Sequence, residues 1–116
     1  MNNGLTSLPG SIGDLRSLKK LDLQDNVLSS LPDSIGNLTN LNELNLRNNR
    51  LGALPESIGN LRNLRVLDLR ANRAIHLPPS LGELTRLEKL DLRWTKLSSL
   101  PTWLQKLKER GTVVFT

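Results

Sequence analysis

The stretch LRNNRLGALPESIGNLRNLRVLDLRANRAIHLP, residues 46–78, nearly repeats itself after 23 residues. Its opening Leu-Arg-Asn-Asn-Arg, residues 46–50, returns as Leu-Arg-Ala-Asn-Arg at residues 69–73, and the Leu-Pro pair at 54–55 returns at 77–78. Self-similarity at a fixed period of about 20 to 50 residues is typical of proteins built from stacked turns. The sequence therefore predicts a repeat architecture.

The same period runs through most of the 116 residues. Leucine pairs of the form Leu-x-Leu recur in step, and an asparagine follows most pairs three residues later: Leu21/Leu23/Asn26, Leu44/Leu46/Asn49, Leu67/Leu69/Asn72 and Leu90/Leu92, with Thr95 in place of the last asparagine. Leucines two residues apart lie on one face of a strand. Because the chain returns fully between strands, we expect successive strands to run parallel, about 4.8 Å apart.

Asn, Pro, Ser and Gly also recur at regular positions in the repeat, and each predicts a structural feature. A buried Asn is tolerable only when its amide bonds to the backbone of its own and neighbouring turns. Pro lacks an N–H, so each Leu-Pro pair marks a point where the chain has left the sheet. The following Ser-Ile-Gly-x-Leu, as at residues 57–61, predicts a short helical turn on the outer face. Its Ser is expected to cap that turn, and its Gly permits close packing or a positive φ.

The motif at residues 41–51, LNELNLRNNRL, fits L-x-x-L-x-L-x-x-N-x-L, and on this motif the chain resembles leucine-rich repeat proteins. The companion Leu-Pro-x-Ser-Ile-Gly-x-Leu is similar to the subclass found in Ras-group and Scribble-type intracellular proteins and in bacterial relatives. The resemblance implies an α/β solenoid, a right-handed horseshoe arc with a parallel β-sheet on its concave face and short helical turns on its convex face. It also implies protein partners in signalling, small GTPases among them.

The period divides one domain, residues 1–116, into a partial repeat at 1–17, repeats starting near residues 18, 41, 64 and 87, and a C-terminal capping segment at 101–116. Adding 23 to Leu90 and Leu92 predicts that Val113 and Phe115 face inward in a last strand. At the other end, the first strand would be an unpaired edge beside leucines with an open side. We therefore expect either self-association through this N-terminal edge or fraying of the first turn.

The composition argues against an enzyme. The chain has no Cys and one His, and it contains no nucleophile elbow, phosphate-binding loop or metal-ligand spacing, so no catalytic residue, metal or cofactor is predicted. No apolar stretch approaches the roughly 20 residues of a membrane span, and no secretory signal begins the sequence. We expect a cytoplasmic protein that does not bind membranes. Its net charge of +5 is a moderate excess.

If the leucine pairs face inward, the residues between and after them form the concave surface. The residues predicted there to bind a partner are Arg47, Arg70, Arg93, Trp94, Asp68, Asp91, Arg73 and Lys96. The arginine column is either a lattice of surface ion pairs, each contributing about 0 to 1 kcal/mol, or a strip that accepts anions. Trp94 is either a binding anchor or a cover for the terminal strand.

Three functions remain open on the sequence alone. The first is a non-enzymatic scaffold that binds a protein partner through the concave face. The second is an anion or nucleic-acid binder that uses the arginine strip, although aspartates interleave with the arginines and aromatic residues for stacking are few. The third is a purely structural or engineered repeat unit without a partner.

Overall fold

The computed structural model describes residues 3–73, 75–97 and 100–116, which form a right-handed solenoid of stacked turns. Each turn contributes one strand to a single parallel sheet whose order follows the sequence. The strands are β1 (Lys20–Asp22), β2 (Glu43–Asn45), β3 (Val66–Asp68), β4 (Lys89–Asp91) and β5 (Val113–Phe115). From β1 to β4, residues 23 apart lie side by side, so the predicted parallel order and register are confirmed.

Short helices cover the convex side. They are the 3-10 helices Gly10–Asp14, Asp33–Asn37, Glu56–Asn60 and Pro79–Glu83, followed in the last turn by helix α1 (Trp103–Glu109). A proline precedes each 3-10 helix and its carbonyl accepts the first hydrogen bond, as when the Ile35 amide donates to Pro32 at 3.0 Å. Proline suits this position because the chain needs an acceptor and no donor there. The predicted helical turns are confirmed.

The prediction that each serine caps its own helical turn was wrong. The serine is the second residue of the helix, whereas a capping side chain must precede the first turn. Its hydroxyl instead donates to a carbonyl of the preceding turn at 2.6–2.7 Å, in the pairs Ser34 to Gly10, Ser57 to Asp33 and Ser80 to Glu56. The serines thus join neighbouring turns along the convex surface.

The glycines of the convex turns are needed for close packing. A Cβ on Gly36 would lie 2.6 Å from the carbonyl oxygen of Ser57, and one on Gly59 would lie 2.7 Å from the Ser80 Cβ. Both distances are too short for any side chain. Of the two sequence interpretations, close packing therefore holds, since neither glycine has a positive φ.

The core is a stack of leucines that is complete only in the middle and later turns. Leu38 and Leu61 are fully buried, whereas Leu15, their counterpart in the first turn, is 52 % exposed. Full burial of one such side chain contributes roughly 1.5–3 kcal/mol, so the first turn lacks much of the stabilisation of its neighbours. The expected open side of the N-terminal leucines is confirmed.

The asparagines form the expected ladder between turns. The amide of Asn49 donates to the carbonyls of Leu46 and, in the preceding turn, Leu23 at 3.0 and 2.9 Å, and its Oδ1 accepts from the Leu28 N–H at 3.0 Å. Asn72 repeats this arrangement one turn later. In the fourth turn Thr95 keeps one of these bonds, from its hydroxyl to the Leu92 carbonyl at 2.6 Å.

The last strand forms as predicted, but its predicted faces were wrong. In β5 the partner of Lys89 is Val113, 24 residues later, so Val114 takes the position beside the buried Leu90. The extra residue enters after Leu107, where α1 continues to Glu109 and the chain reverses at Gly111 with a φ of 98°. A shift of one residue exchanges the two faces of a strand. Val113 and Phe115 therefore lie on the concave side and are exposed.

Candidate functional site

The concave face carries the outward residues of each strand in columns. Glu43 lies beside Val66 and Lys89, and Asp68 lies between Asn45 and Asp91, as the period predicts. The next position in each turn holds Arg47, Arg70 or Arg93, whose backbone N–H bonds to the side chain two residues before it. The structure thus brings most of the predicted site residues onto one surface.

A set of linked ion pairs, the ionic lattice, joins Asp68, Arg70, Asp91 and Arg93. Arg70 Nη2 lies 2.6 Å from Asp68 Oδ2, Arg70 Nε lies 3.3 Å from Asp91 Oδ2, and Arg93 Nη2 lies 2.7 Å from the same oxygen. Burial acts to raise the pKa of Asp91, but the hydrogen bonds and charge of Arg93, together with the charge of Arg70, outweigh it and hold this pKa below its ordinary value. Half of the predicted site is thus a fixed ionic lattice.

Phe115 lies beside the buried Asp91 on the concave face. The residue pair Asp91 and Phe115 is in register across β4 and β5, on the same face of the sheet. Asp91 has no accessible surface, whereas Asp22, which occupies the same column in β1, is exposed. Because the inward prediction for Phe115 was wrong, the sequence interpretation missed this part of the site.

Trp94 stands on the surface with 62 % of its area exposed. This exposure favours a binding anchor over a cover for the terminal strand, the second of the two sequence interpretations. The guanidinium carbons of Arg93 and Arg47 lie 5.8 and 5.7 Å from the ring centroid, within cation–π range. Arg47 follows β2 and Trp94 follows β4, so the ring leans across the intervening turn, where the small Ala71 occupies the matching position.

The backbone at Trp94 is left-handed, with a φ of 61°. Its counterparts Asp25, Asn48 and Ala71 have φ values of 59°, 56° and 58°, so this conformation belongs to every turn and not to the tryptophan alone. Asp and Asn accept it because their short polar side chains bond locally, whereas a non-glycine residue without that help loses about 1–2 kcal/mol. Trp is therefore a poor choice for the fold at this position.

Trp94 belongs to a larger group, the aromatic–cation cluster, which comprises Arg47, Trp94, Arg93, Phe115 and Lys89. Two cations lie within range of the Phe115 ring, with Arg93 Cζ 5.1 Å and Lys89 Nζ 5.4 Å from its centroid. Both rings are exposed, so the cluster offers apolar area flanked by positive charge. Large exposed apolar side chains bordered by polar groups are typical of interaction surfaces.

A second set of cations, the basic row, borders the concave face beyond the asparagine ladder. It comprises Arg50, Arg73 and Lys96, which occupy equivalent positions in three successive turns and are exposed. Arg50 and Arg73 line a depression of about 650 Å3, together with Asn48, Ala71 and Asp25. Arg73 and Lys96 were predicted site residues, and they lie here, apart from the ionic lattice.

The described residues, 3–73, 75–97 and 100–116, contain neither a candidate metal-binding cluster nor a helix suited to crossing a membrane. No group of three or more His, Asp or Glu residues there is arranged to hold a metal ion. None of the helices there has the length and apolar character that crossing a membrane requires.

Comparison with known families decides the identity of the fold. A family described as a leucine-rich repeat region matches residues 33–110, and a leucine rich repeat family matches residues 1–51. The chain belongs to the leucine-rich repeat family. Domains of this family are protein-interaction modules and are typically non-enzymatic. Among curated proteins, no significant match to this leucine-rich repeat chain was found.

Solved structures give the same fold. A leucine-rich repeat protein from Leptospira interrogans aligns with 99 % of this chain and 29 % of its own, with a TM-score of 0.88 and 31 % identity. The Arabidopsis receptor kinase HAESA, solved with the peptide hormone IDA and the co-receptor SERK1, aligns over 89 % of this chain and 18 % of its own, with a TM-score of 0.74 and 40 % identity.

The plant peptide hormone receptor RGFR1, solved in complex with RGF2, aligns with 99 % of this leucine-rich repeat chain and 19 % of its own, with a TM-score of 0.78 and 31 % identity. The chain therefore spans less than a third of the length of each of these three proteins. These matches establish the family and the fold. They do not confirm the Ras-group subclass, which rests on the resemblance of the sequence motif.

Proposed function

We propose that this chain is a non-enzymatic module that binds a protein or peptide partner on its concave face, through the aromatic–cation cluster. The main observation behind this proposal is Trp94, an exposed aromatic side chain at a left-handed backbone position, where it lowers the stability of the fold. Trp and Arg are the residues that most often dominate binding energy at interfaces, and here one Trp stands between two arginines.

The ionic lattice supports a protein partner over a nucleic acid. Arg70 and Arg93 already bond to Asp68 and Asp91, so their charge is largely compensated before any ligand arrives. A backbone of phosphates needs uncompensated cations, since its affinity comes mainly from neutralising them. The lattice instead holds the Arg93 guanidinium in place beside Trp94 and Phe115. Because this side chain is already ordered, it would lose less conformational entropy when a partner binds.

The comparisons support the class of partner. One structural neighbour was solved with a peptide hormone, and another is a peptide hormone receptor solved in complex with RGF2, which supports a peptide or a protein segment as the partner here. The Ras-group resemblance adds small GTPases as candidate partners, and it supports a cytoplasmic signalling role. Self-association through the N-terminal edge is a separate proposal, supported by the exposed Leu5 and Leu15.

A binding selection with two matched tryptophan variants tests the function. Random peptides displayed on phage, and small GTPases in their GTP form, would be offered to the immobilised chain, and the ligands recovered would be titrated against Trp94→Ala and Trp103→Ala. Trp103 is the matched control because it is half-buried on the convex side, where its Cβ lies 3.1 Å from the position of a Cβ on Gly82.

Trp94→Ala should weaken binding by about 2 kcal/mol or more, roughly thirtyfold, and change the free energy of unfolding by less than about 1 kcal/mol. Trp103→Ala should do the reverse, with a loss of stability of about 3 kcal/mol and unchanged affinity of the folded protein. Ligands that bind wild type and Trp94→Ala alike, or no ligand from either source, would refute the proposed site.

A further inference from the structure

The basic row differs from the arginines of the ionic lattice in having no partner of its own. Among the described residues, the side chains of Arg50, Arg73 and Lys96 make no ion pair or hydrogen bond, whereas Arg70 and Arg93 are bonded to aspartates. Three exposed cations without an ionic partner among the described residues thus follow one another in adjacent turns. The anion-accepting part of this surface is therefore the basic row and not the arginine column.

Two members of the basic row, Arg50 and Arg73, line one depression on the surface. Asn48 and Ala71 line it at the left-handed positions of the second and third turns, and Arg50 and Arg73 line it two residues further along each turn. Trp94 occupies the next left-handed position in the series, and Lys96 the next cationic one. A ligand that extends from the depression across the next turn would thus meet the three cations of the row and the exposed ring of Trp94.

We propose that the basic row binds an acidic amphipathic helix of the partner, whose carboxylates recur once per helical turn. This inference rests on the proposed function, because the same helix places its apolar residues on Trp94. The row repeats every 4.8 Å or so, the spacing of neighbouring strands, and an α-helix repeats every 5.4 Å. Acidic residues at i, i+4 and i+7 of a helix would therefore lie close to the three cations. The small difference between the two repeat distances is one that flexible Arg and Lys side chains can accommodate.

Other occupants fit the spacing and the charge less well. An extended peptide places side chains of one face about 6.6–6.8 Å apart, so its third carboxylate would miss the third cation by several ångströms. A uniform polyanion would extend past the row into the first turn, where Val27 occupies the position that the cations hold in the later turns. The row thus matches a ligand whose negative charge is limited to three turns of the solenoid.

Synthetic peptides of equal composition separate these occupants. The first is an Ala-rich helix with Glu at i, i+4 and i+7 and a Leu stripe beside them. The second carries the same residues with the Glu distributed around the helix, and the third carries Glu at every second position and prolines that prevent a helix. Heparin and duplex DNA serve as uniform polyanions. Affinities are measured by titration calorimetry at low and at physiological salt.

Charge reversal tests the row directly. Arg50→Glu/Arg73→Glu should weaken binding of the patterned helix by at least about tenfold and remove most of its salt dependence, since two attractive contacts become repulsive. The control is Arg16→Glu/Arg62→Glu, which changes the net charge equally at two exposed arginines outside the row. Should the double variant lose its circular dichroism signal, Arg73→Glu alone replaces it, with a weakening of at least about threefold.

Each outcome decides between the two proposals. Selective binding of the patterned helix, lost in the row variant and kept in the control, supports the basic row as an acidic-helix site. Equal binding of the patterned and redistributed helices, tighter binding of the extended peptide, tighter binding of heparin or DNA, or binding of no probe overturns it. Loss of ligand binding on Trp94→Ala with unchanged binding of selected ligands to Arg50→Glu/Arg73→Glu would leave the proposed function intact and refute only the row.

Discussion

The first and fourth strands begin the same tetrapeptide, Lys-Leu-Asp-Leu, at residues 20–23 and 89–92. Asp22 is exposed and bonds to the N–H of Gln24, whereas Asp91 is inaccessible and joins Arg70 and Arg93. Identical sequence thus has two environments. In a solenoid each turn contacts only its neighbours, so the neighbouring turns, and not the local sequence, decide what a residue does.

The leucines and lysines of the two strands differ in the same way. Leu90 has no exposed area, because β3 and β5 flank it, but Leu21 is partly exposed beside a single neighbour. Lys20 lies 3.8 Å from Glu43 as a loose surface ion pair, while Lys89 lies over the Phe115 ring. The comparison predicts that equivalent substitutions will be costly in a turn with two neighbours and mild in the first turn.

The largest difference is expected along the asparagine ladder. Asn49→Ala should lower the free energy of unfolding by about 3 kcal/mol, because it leaves the Leu28 N–H and the carbonyls of Leu23 and Leu46 without their buried partner. Asn3→Ala, in the same column of an exposed turn, should cost less than about 0.5 kcal/mol. Urea denaturation of both variants measures this, and equal small losses would contradict the ladder.

The two aspartates of the shared tetrapeptide should differ next. Asp91→Asn should cost about 1.5–3 kcal/mol, since it removes a buried charge that accepts bonds from Arg93, while Asp22→Asn should change stability by less than about 0.5 kcal/mol. Thermal melts at pH 7 make the comparison. Equal melting temperatures of the two variants would show that burial of Asp91 has no energetic weight.

The pKa of Asp91 gives this difference a pH dependence. Because the pKa is lowered in the folded state, the contribution of Asp91 is complete above its ordinary value of 3.8 and is lost as the pH falls through the folded pKa. Acid titration of stability below about pH 4 should therefore be steeper for wild type than for Asp91→Asn. Parallel acid curves for the two proteins would contradict the lowered pKa.

Glycines on the convex side should show a smaller contrast. Gly36→Ala should cost about 1–3 kcal/mol, because the new Cβ would lie 2.6 Å from the Ser57 carbonyl oxygen and the two turns would have to separate. Gly10→Ala introduces a Cβ with nothing within 4 Å and should be neutral or slightly stabilising. Differential scanning calorimetry of both proteins measures the contrast, and a neutral Gly36→Ala would mean that the turns can shift freely.

The smallest difference between the first turn and the later turns is expected in the amide exchange rates of the unmutated protein. We expect amides of the first turn and β1 to exchange with solvent faster than those of β3, unless a second copy covers the open side. Hydrogen exchange at two protein concentrations distinguishes fraying from association, since only association gives protection that rises with concentration. A strict monomer in light scattering, with strong protection across residues 5–23, would contradict both forms of the prediction.

The fold was predictable from the sequence because the inward positions are nearly the same in every turn. The Leu44 and Leu46 columns gave the strand faces, and Asn49 gave the ladder, each confirmed by the structure. The serine role was wrong because a pattern of residue types does not fix where a short helix begins. The left-handed position of Trp94 had a visible signal, since Asp25 and Asn48 in its column are residues that tolerate it.

The candidate site was only partly predictable. Asp68 and Asp91 were expected near the arginines, but sequence could not tell a closed ionic lattice from a free anion-binding strip, because that depends on side-chain positions. Phe115 was missed because the alternation at residues 112–115, Thr-Val-Val-Phe, fits a strand in either register. One additional residue after Leu107 placed Phe115 on the concave face, and the 23-residue period does not reveal this insertion.

The close packing of the glycines on the convex side has a consequence for how such a chain changes through gene duplication. The junctions Gly13 to Ser34, Gly36 to Ser57 and Gly59 to Ser80 place the virtual Cβ 2.6–2.7 Å from its nearest atom, so they are interchangeable. Insertion of one 23-residue cassette among them would create no new kind of junction, and it would lengthen the concave surface by about 4.8 Å. If it entered between the second and fourth turns, Trp94 would move out of reach of Arg47. A single unequal crossover could thus retain the fold and alter what its surface recognises.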